Sequence, residues 1–216
     1  IMTEGEAERA VNYLLASDIV GVDTETKPSF RRGEQHQVAL LQAANRDTCF
    51  LFRLNLIGIT PAIKRFLEDK TVKKVGLSWH DDLRGLRNRL EFTPGWFIEL
   101  QDIVPEIGIK DLSLQKLYAN LFHQKISKRQ RLSNWESPIL DAKQKEYASI
   151  DAWACIKIYD EIEKLKQTGN YELVDIPDEE MPDRIHLSEP VNTLEEPQKC
   201  KLQRGRKRVL NKKDTK

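Results

Sequence analysis

Asp23-Thr24-Glu25 follows directly on the apolar run Ile19-Val20-Gly21-Val22. In a strand, residues i and i+2 project to the same face, so these two carboxylates would enter one site together. Two like charges held side by side repel, and burial sharpens the repulsion. A divalent cation bound through oxygen ligands is the simplest partner that would stabilise them. An acidic strand end can also be merely solvated, so this tripeptide does not decide the matter. Two further pieces bear on it. Val75-Gly76-Leu77-Ser78-Trp79-His80-Asp81-Asp82-Leu83 reads as an apolar strand passing into a helix. Acids in a first helical turn complement the helix dipole, and either Asp81 or Asp82 could face a site. Asp82 is preferred because it directly precedes Leu83. Tyr147 and Asp151 lie four apart on a predicted helix, one turn above each other, so phenol and carboxylate share a face.

The elements that must position these residues follow from periodicity and capping. Thr3-x-x-Glu6 is a capping box that opens a helix through about Leu15. Strands are predicted at Ile19–Asp23, Gln37–Ala44, Thr48–Leu54, Val72–Leu77 and Trp96–Leu100, with a turn at Asn45-Arg46-Asp47. Helices are predicted from Pro61 to Glu68, His80 to Leu90, Val104 to Ile107, Leu112 to Phe122 and Asp141 to Lys166. Three strands in succession, followed by strands alternating with helices, imply an α/β fold. Its mixed sheet would have three antiparallel strands, then parallel ones, and helices on its faces.

Length and charge set the domain plan. Of 216 residues, 39% are hydrophobic and 32% charged, enough for one well-buried domain and a tail. No run approaches the ~20 apolar residues of a membrane span. Residues 1–20 lack the basic start and apolar segment of a signal peptide, with Ile1 as the first residue. Cys49, Cys155 and Cys200 form neither a disulfide framework nor a zinc pattern, and an intracellular, cytoplasmic setting is expected. Residues 172–198 carry nine acids and one Arg, whereas 199–216 carry nine Lys/Arg and one Asp. The expected division is a catalytic domain at 1–171, an acidic Pro-containing linker at 172–198 and a disordered basic tail at 199–216.

The acids and the tyrosine resemble the DEDD superfamily of 3′→5′ exonucleases. Asp23-Thr24-Glu25 matches its first motif and Asp82 its second. Tyr147-Ala148-x-x-Asp151-Ala152 matches its third, in the tyrosine-bearing subclass. Lys128-Arg129-Gln130-Arg131-Leu132-Ser133-Asn134-Trp135 resembles a Lys-x-x-x-x-Ser-Asn-Trp segment of Werner-type and ribonuclease-D-like exonucleases. Where many relatives carry Asn shortly before the second-motif Asp, this chain has Ser78-Trp79-His80. The resemblance implies a ribonuclease H-like fold and hydrolysis of DNA or RNA from the 3′ end, releasing nucleoside 5′-monophosphates. It implies two divalent metal ions, Mg²⁺ or Mn²⁺, on Asp23, Glu25, Asp82 and Asp151, with Tyr147 orienting the attacking water. Thr24, Lys128, Arg131 and Trp135 are candidates for nucleic-acid contact, the cations at backbone phosphates and Trp135 near the terminal nucleotide; the alternatives are a solvated Lys/Arg loop and a Trp135 packed in the core. A noncatalytic nucleic-acid-binding module with the same fold is the alternative. Such a module would be expected to have lost acids or the tyrosine, and all five are present.

Overall fold

The computed structural model describes residues 1–169, 171–173 and 200–202. Helix α1 (Glu4–Leu14) opens with the expected capping box: Thr3 Oγ1 accepts from Glu6 N and the Glu6 carboxylate accepts from Thr3 N. The chain continues through β1 (Ile19–Thr26), β2 (Val38–Ala44), β3 (Cys49–Phe52), α2 (Leu54–Ile57), α3 (Pro61–Glu68) and β4 (Lys73–Gly76). It then forms α4 (Trp79–Arg87), β5 (Phe97–Glu99), α5 (Leu100–Ile103), a 3₁₀ turn at Val104–Ile107, α6 (Leu114–Phe122) and the long α7 (Ala142–Thr168). The sheet order is β3-β2-β1-β4-β5. β2 runs antiparallel to both of its neighbours, β1 and β3, and β4 and β5 continue the sheet parallel to β1. This is the predicted mixed sheet.

The two sheet faces are covered separately. On one, Val20, Val22, Leu41 and Ala43 pack with apolar residues of α1, α3 and α4. On the other, Ile19 and Val75 pack with α6 and α7, and Ala39 and Leu40 with Trp135, Tyr147 and Ala148. The alternation along β1 therefore sends Gly21, Asp23 and Glu25 to the face that α7 crosses.

Several boundaries differ from expectation. β1 runs to Thr26, so the acidic motif lies inside the strand rather than at its end. The reason is the neighbour: β1 pairs with β2 as far as Thr26↔Val38, supplying backbone partners well past Asp23. Its pairing with β4 stops at Gly21↔Val75, so beyond Gly21 that edge opens where β4 gives way to α4. The strand predicted at Thr48–Leu54 divides into β3 and the short α2. Cys200–Leu202, placed by the sequence in a structureless tail, forms a parallel ladder with Tyr171–Leu173. The rest of the expected linker and basic tail lies outside the described residues.

Candidate active site

Glycine brings the two halves of the site together. A Cβ on Gly21 would stand 2.0 Å from the Ala152 carbonyl oxygen, so the bare backbone at this position lets α7 lie directly on β1. Asp151, the neighbour of Ala152, is thereby delivered to Asp23 and Glu25, two and four residues along the same face of β1. One carboxylate oxygen from each of Asp23, Glu25 and Asp151 lies within 4.8 Å of the other two. Glu25 and Asp151 are buried and Asp23 half-buried. One turn earlier on α7, the Tyr147 phenol stands close enough to the Asp151 carboxylate for each to influence the other.

Asp82 arrives from another direction. Thr24, pointing to the opposite side of β1 from Asp23, donates its hydroxyl to Asp82 Oδ1. Asp81 faces away: its side chain is 86% exposed and it pairs with Arg84 at 3.5 Å. The entry to α4 is closely held. Ser78 adopts the left-handed conformation with φ 64°, a region that Asn and Gly enter at lower energy. The Glu99 carboxylate at the end of β5 accepts from Ser78 N at 2.9 Å, Trp79 N at 2.6 Å and Gln101 N at 3.0 Å. It thus satisfies backbone donors that a helix start leaves open. The Trp79 ring occupies the space a Cβ on Gly76 would need and meets Phe97 edge-on at 5.0 Å.

The electrostatics follow from crowding acids away from water. Burial, then the neighbouring Asp151, Asp82 and Glu25, raises the Asp23 pKa well above the carboxylate range. Burial foremost, with Asp151 and Asp82 beside it, pushes Glu25 up to about 9. Asp151 is pushed up to about 7 by burial, and Asp82 to about 6, with burial again the main cause. Burial and the adjacent carboxylates also raise the Tyr147 phenol, which stays protonated at neutral pH. Asp151 Oδ1 is buried without a hydrogen-bond partner. An all-oxygen donor set, a short span and an orphaned carboxylate oxygen fit a hard divalent cation. Among the described residues no histidine joins this group.

The residues expected at the nucleic acid are placed unequally. Thr24 borders a groove of about 600 Å³ lined also by Thr26, Gln37, Val38, Asp82 and Gly85. Arg131 is exposed and close enough for its charge to act on Glu25. Lys128 is exposed, three residues away across the turn that Arg131 N closes onto its carbonyl. Trp135 requires a correction. It is 0% exposed and offers no face to a base. Its ring lies 6.1 Å from that of Tyr147, so it buttresses the phenol from within the core.

Three residues around the site escaped the sequence reading. Gly21 carried a signal, a glycine inside an apolar strand run, which marks close backbone approach. Glu99 and Gln42 each interrupt an apolar strand with a polar side chain. Neither could be linked to the site without knowing which strands lie side by side.

A mixed α/β sheet whose central strand and crossing helix bring three carboxylates together, with Asp82 on a flanking helix, is an arrangement of the ribonuclease H-like fold. A 3′–5′ exonuclease family model matches residues 1–167, and the chain belongs to that family, in its DEDD-type branch. It is 28% identical over 185 residues to the mouse bifunctional 3′–5′ exonuclease/ATP-dependent helicase WRN, covering 83% of this chain and 13% of that protein. It is 31% identical over 146 residues to a 3′–5′ exonuclease of Arabidopsis thaliana, covering 65% of this chain and 51% of the relative. Among solved structures, the Aedes aegypti Nibbler EXO domain superposes with a TM-score of 0.70 at 20% identity, over 77% of this chain and 88% of that one. Escherichia coli RNase D does so with a TM-score of 0.67 at 20% identity, over 78% and 46%. These structural likenesses are of fold. The chain thus spans between an eighth and a half of the two curated relatives.

Proposed function

We propose that the chain is a metal-dependent 3′→5′ exonuclease acting on DNA or RNA and releasing nucleoside 5′-monophosphates by a two-metal mechanism. The observation that carries this reading is the mutually repelling triad Asp23, Glu25 and Asp151, which places one carboxylate oxygen from each residue within 4.8 Å of the others. Asp23, Glu25 and Asp151 would hold one cation. Asp82, reached across Thr24, would hold a second with Asp23. Divalent cations bound there supply the Lewis acidity that makes a nucleophile of water near neutral pH and offsets charge on the departing oxygen.

The chain's own residues supply the remainder. Tyr147 keeps its proton, so it orients the attacking water by hydrogen bonding rather than deprotonating it. The Trp135 ring fixes the phenol against α7. Arg131, exposed above Glu25, and Lys128 beside it offer cationic contacts to backbone phosphates. Thr24 fixes the Asp82 carboxylate through its hydroxyl and leaves its backbone at the groove. A noncatalytic binding module would gain nothing from burying acids whose repulsion opposes folding.

Comparing wild type with Asp23→Ala on labelled single strands, in Mg²⁺, Mn²⁺ and EDTA, tests the reading. Turnover should require a metal and fall at least ~10³-fold in the variant. Equal turnover in EDTA, or by Asp23→Ala, would overturn it.

A further inference from the structure

Gln42 lies in the middle of β2, where every residue is buried, and is itself 0% exposed. Neither its amide nitrogen nor its amide oxygen has a hydrogen-bond partner. Leaving such groups unpaired costs about 1–3 kcal/mol each. Leucine, present at the two preceding positions, Leu40 and Leu41, would avoid that cost. Strand register shows what the amide faces. Gln42 stands directly opposite Asp23 of β1 on one side and Leu51 of β3 on the other. Opposed residues share a face with their Cβ atoms roughly 5 Å apart. The same face carries Leu40 and Ala44, two residues either way, and Leu40 packs with Tyr147 and Ala148 beneath α7. Of these four strand neighbours, only Asp23 bears a hydrogen-bonding side chain.

We infer that Gln42 is a positioning residue for the metal centre, its amide N–H, unpartnered in this structure, donating to the Asp23 carboxylate once that carboxylate is ionised and turned toward the cation. This rests on the metal-dependent reading above. An ionised Asp23 crowded by Glu25 and Asp151 has acceptor capacity beyond what two cations use, and a neutral donor fills it without adding charge. Groups that orient metal ligands in this way typically contribute 10–100-fold to metal affinity. Deep burial removes Gln42 from contact with nucleic acid, so its effect must pass through Asp23.

The test is Mn²⁺ titration by calorimetry on the whole chain, comparing wild type, Gln42→Leu, Gln42→Met and Asp23→Ala, with melting curves in EDTA. Both Gln42 variants should fold, with melting temperatures equal to or above wild type because two orphaned polar atoms are gone. Their Mn²⁺ affinity should fall about 10–100-fold, and activity lost at low Mn²⁺ should return as Mn²⁺ is raised. A purely structural glutamine would leave metal affinity unmoved. If wild type binds Mn²⁺, Asp23→Ala does not, and both Gln42 variants bind within twofold of wild type, the role of Gln42 is overturned alone. If wild type binds no Mn²⁺, the metal-centre reading falls and the inference with it.

Discussion

At the scale of single residues, the site is built against its own stability. Glu25 holds its proton to about 9, Asp151 to about 7 and Asp82 to about 6 in the folded chain, whereas unfolded carboxyls release theirs near pH ~4. The folded, metal-free chain therefore binds more protons than the unfolded chain throughout this window. The contribution of these acids to stability is fully present below about pH 4 and is lost as pH rises through the folded values. Melting temperature in EDTA should accordingly fall from pH 5 to pH 7, below the range in which buried Lys74, lowered to about 8, loses its own proton. Saturating Mn²⁺ should remove most of that fall. Asp151→Asn should raise the metal-free stability at pH 8 by about 1–3 kcal/mol while abolishing turnover, as calorimetry and a nuclease assay would show. Tyr147→Phe should bind Mn²⁺ like wild type yet turn over about 10²-fold more slowly or worse, the scale of a lost proton-positioning group. Unchanged turnover would remove the phenol from the mechanism.

At the scale of elements, the site exists because β1 outruns β4 and because α7 crosses β1 without a side chain between them. Gly21→Ala forces a methyl group onto the Ala152 carbonyl. It should destabilise the fold by about 1–3 kcal/mol or more and move Asp151 away from Asp23. Thermal melting would report the first effect and loss of Mn²⁺ affinity the second. Ser78→Asn should be neutral or stabilising by up to ~1 kcal/mol, because Asn tolerates the left-handed region more readily than Ser. Much of this level was legible beforehand. The capping box at Thr3, the polarity of the sheet and the long final helix follow from patterns confined to single segments. The five acid and phenol positions could be named because their motifs lie within one strand or one helix. What stayed hidden depends on register between segments. Gln42 reads as one polar residue in an apolar run until β2 is set beside Asp23. Glu99 reads as a strand-end acid until β5 is set beside the start of α4. For Trp135 the sequence left two places open, beside the substrate or in the core, and the core under Tyr147 is where the large ring packs.

At the scale of the whole molecule, charge and fold divide the work. The described residues contain no helix long and apolar enough to cross a membrane. Residues 203–216 carry seven Lys/Arg against one Asp, a composition suited to phosphate contact through counterion release. A chain ending at residue 202 should keep its metal-dependent turnover on short strands. Its nucleic-acid affinity should depend less steeply on salt, as fluorescence anisotropy across a salt series would show. Equal salt slopes would exclude the basic segment from binding. The central claim concerns the carboxylate cluster and the end of the strand on which it acts. It is tested most directly by digesting 5′-labelled single strands with a free or a blocked 3′ hydroxyl, in Mn²⁺ and in EDTA. The prediction is a ladder that shortens stepwise from the 3′ end in Mn²⁺, is delayed by the block and is absent in EDTA. Internal cuts insensitive to the block, or products formed in EDTA, would contradict it.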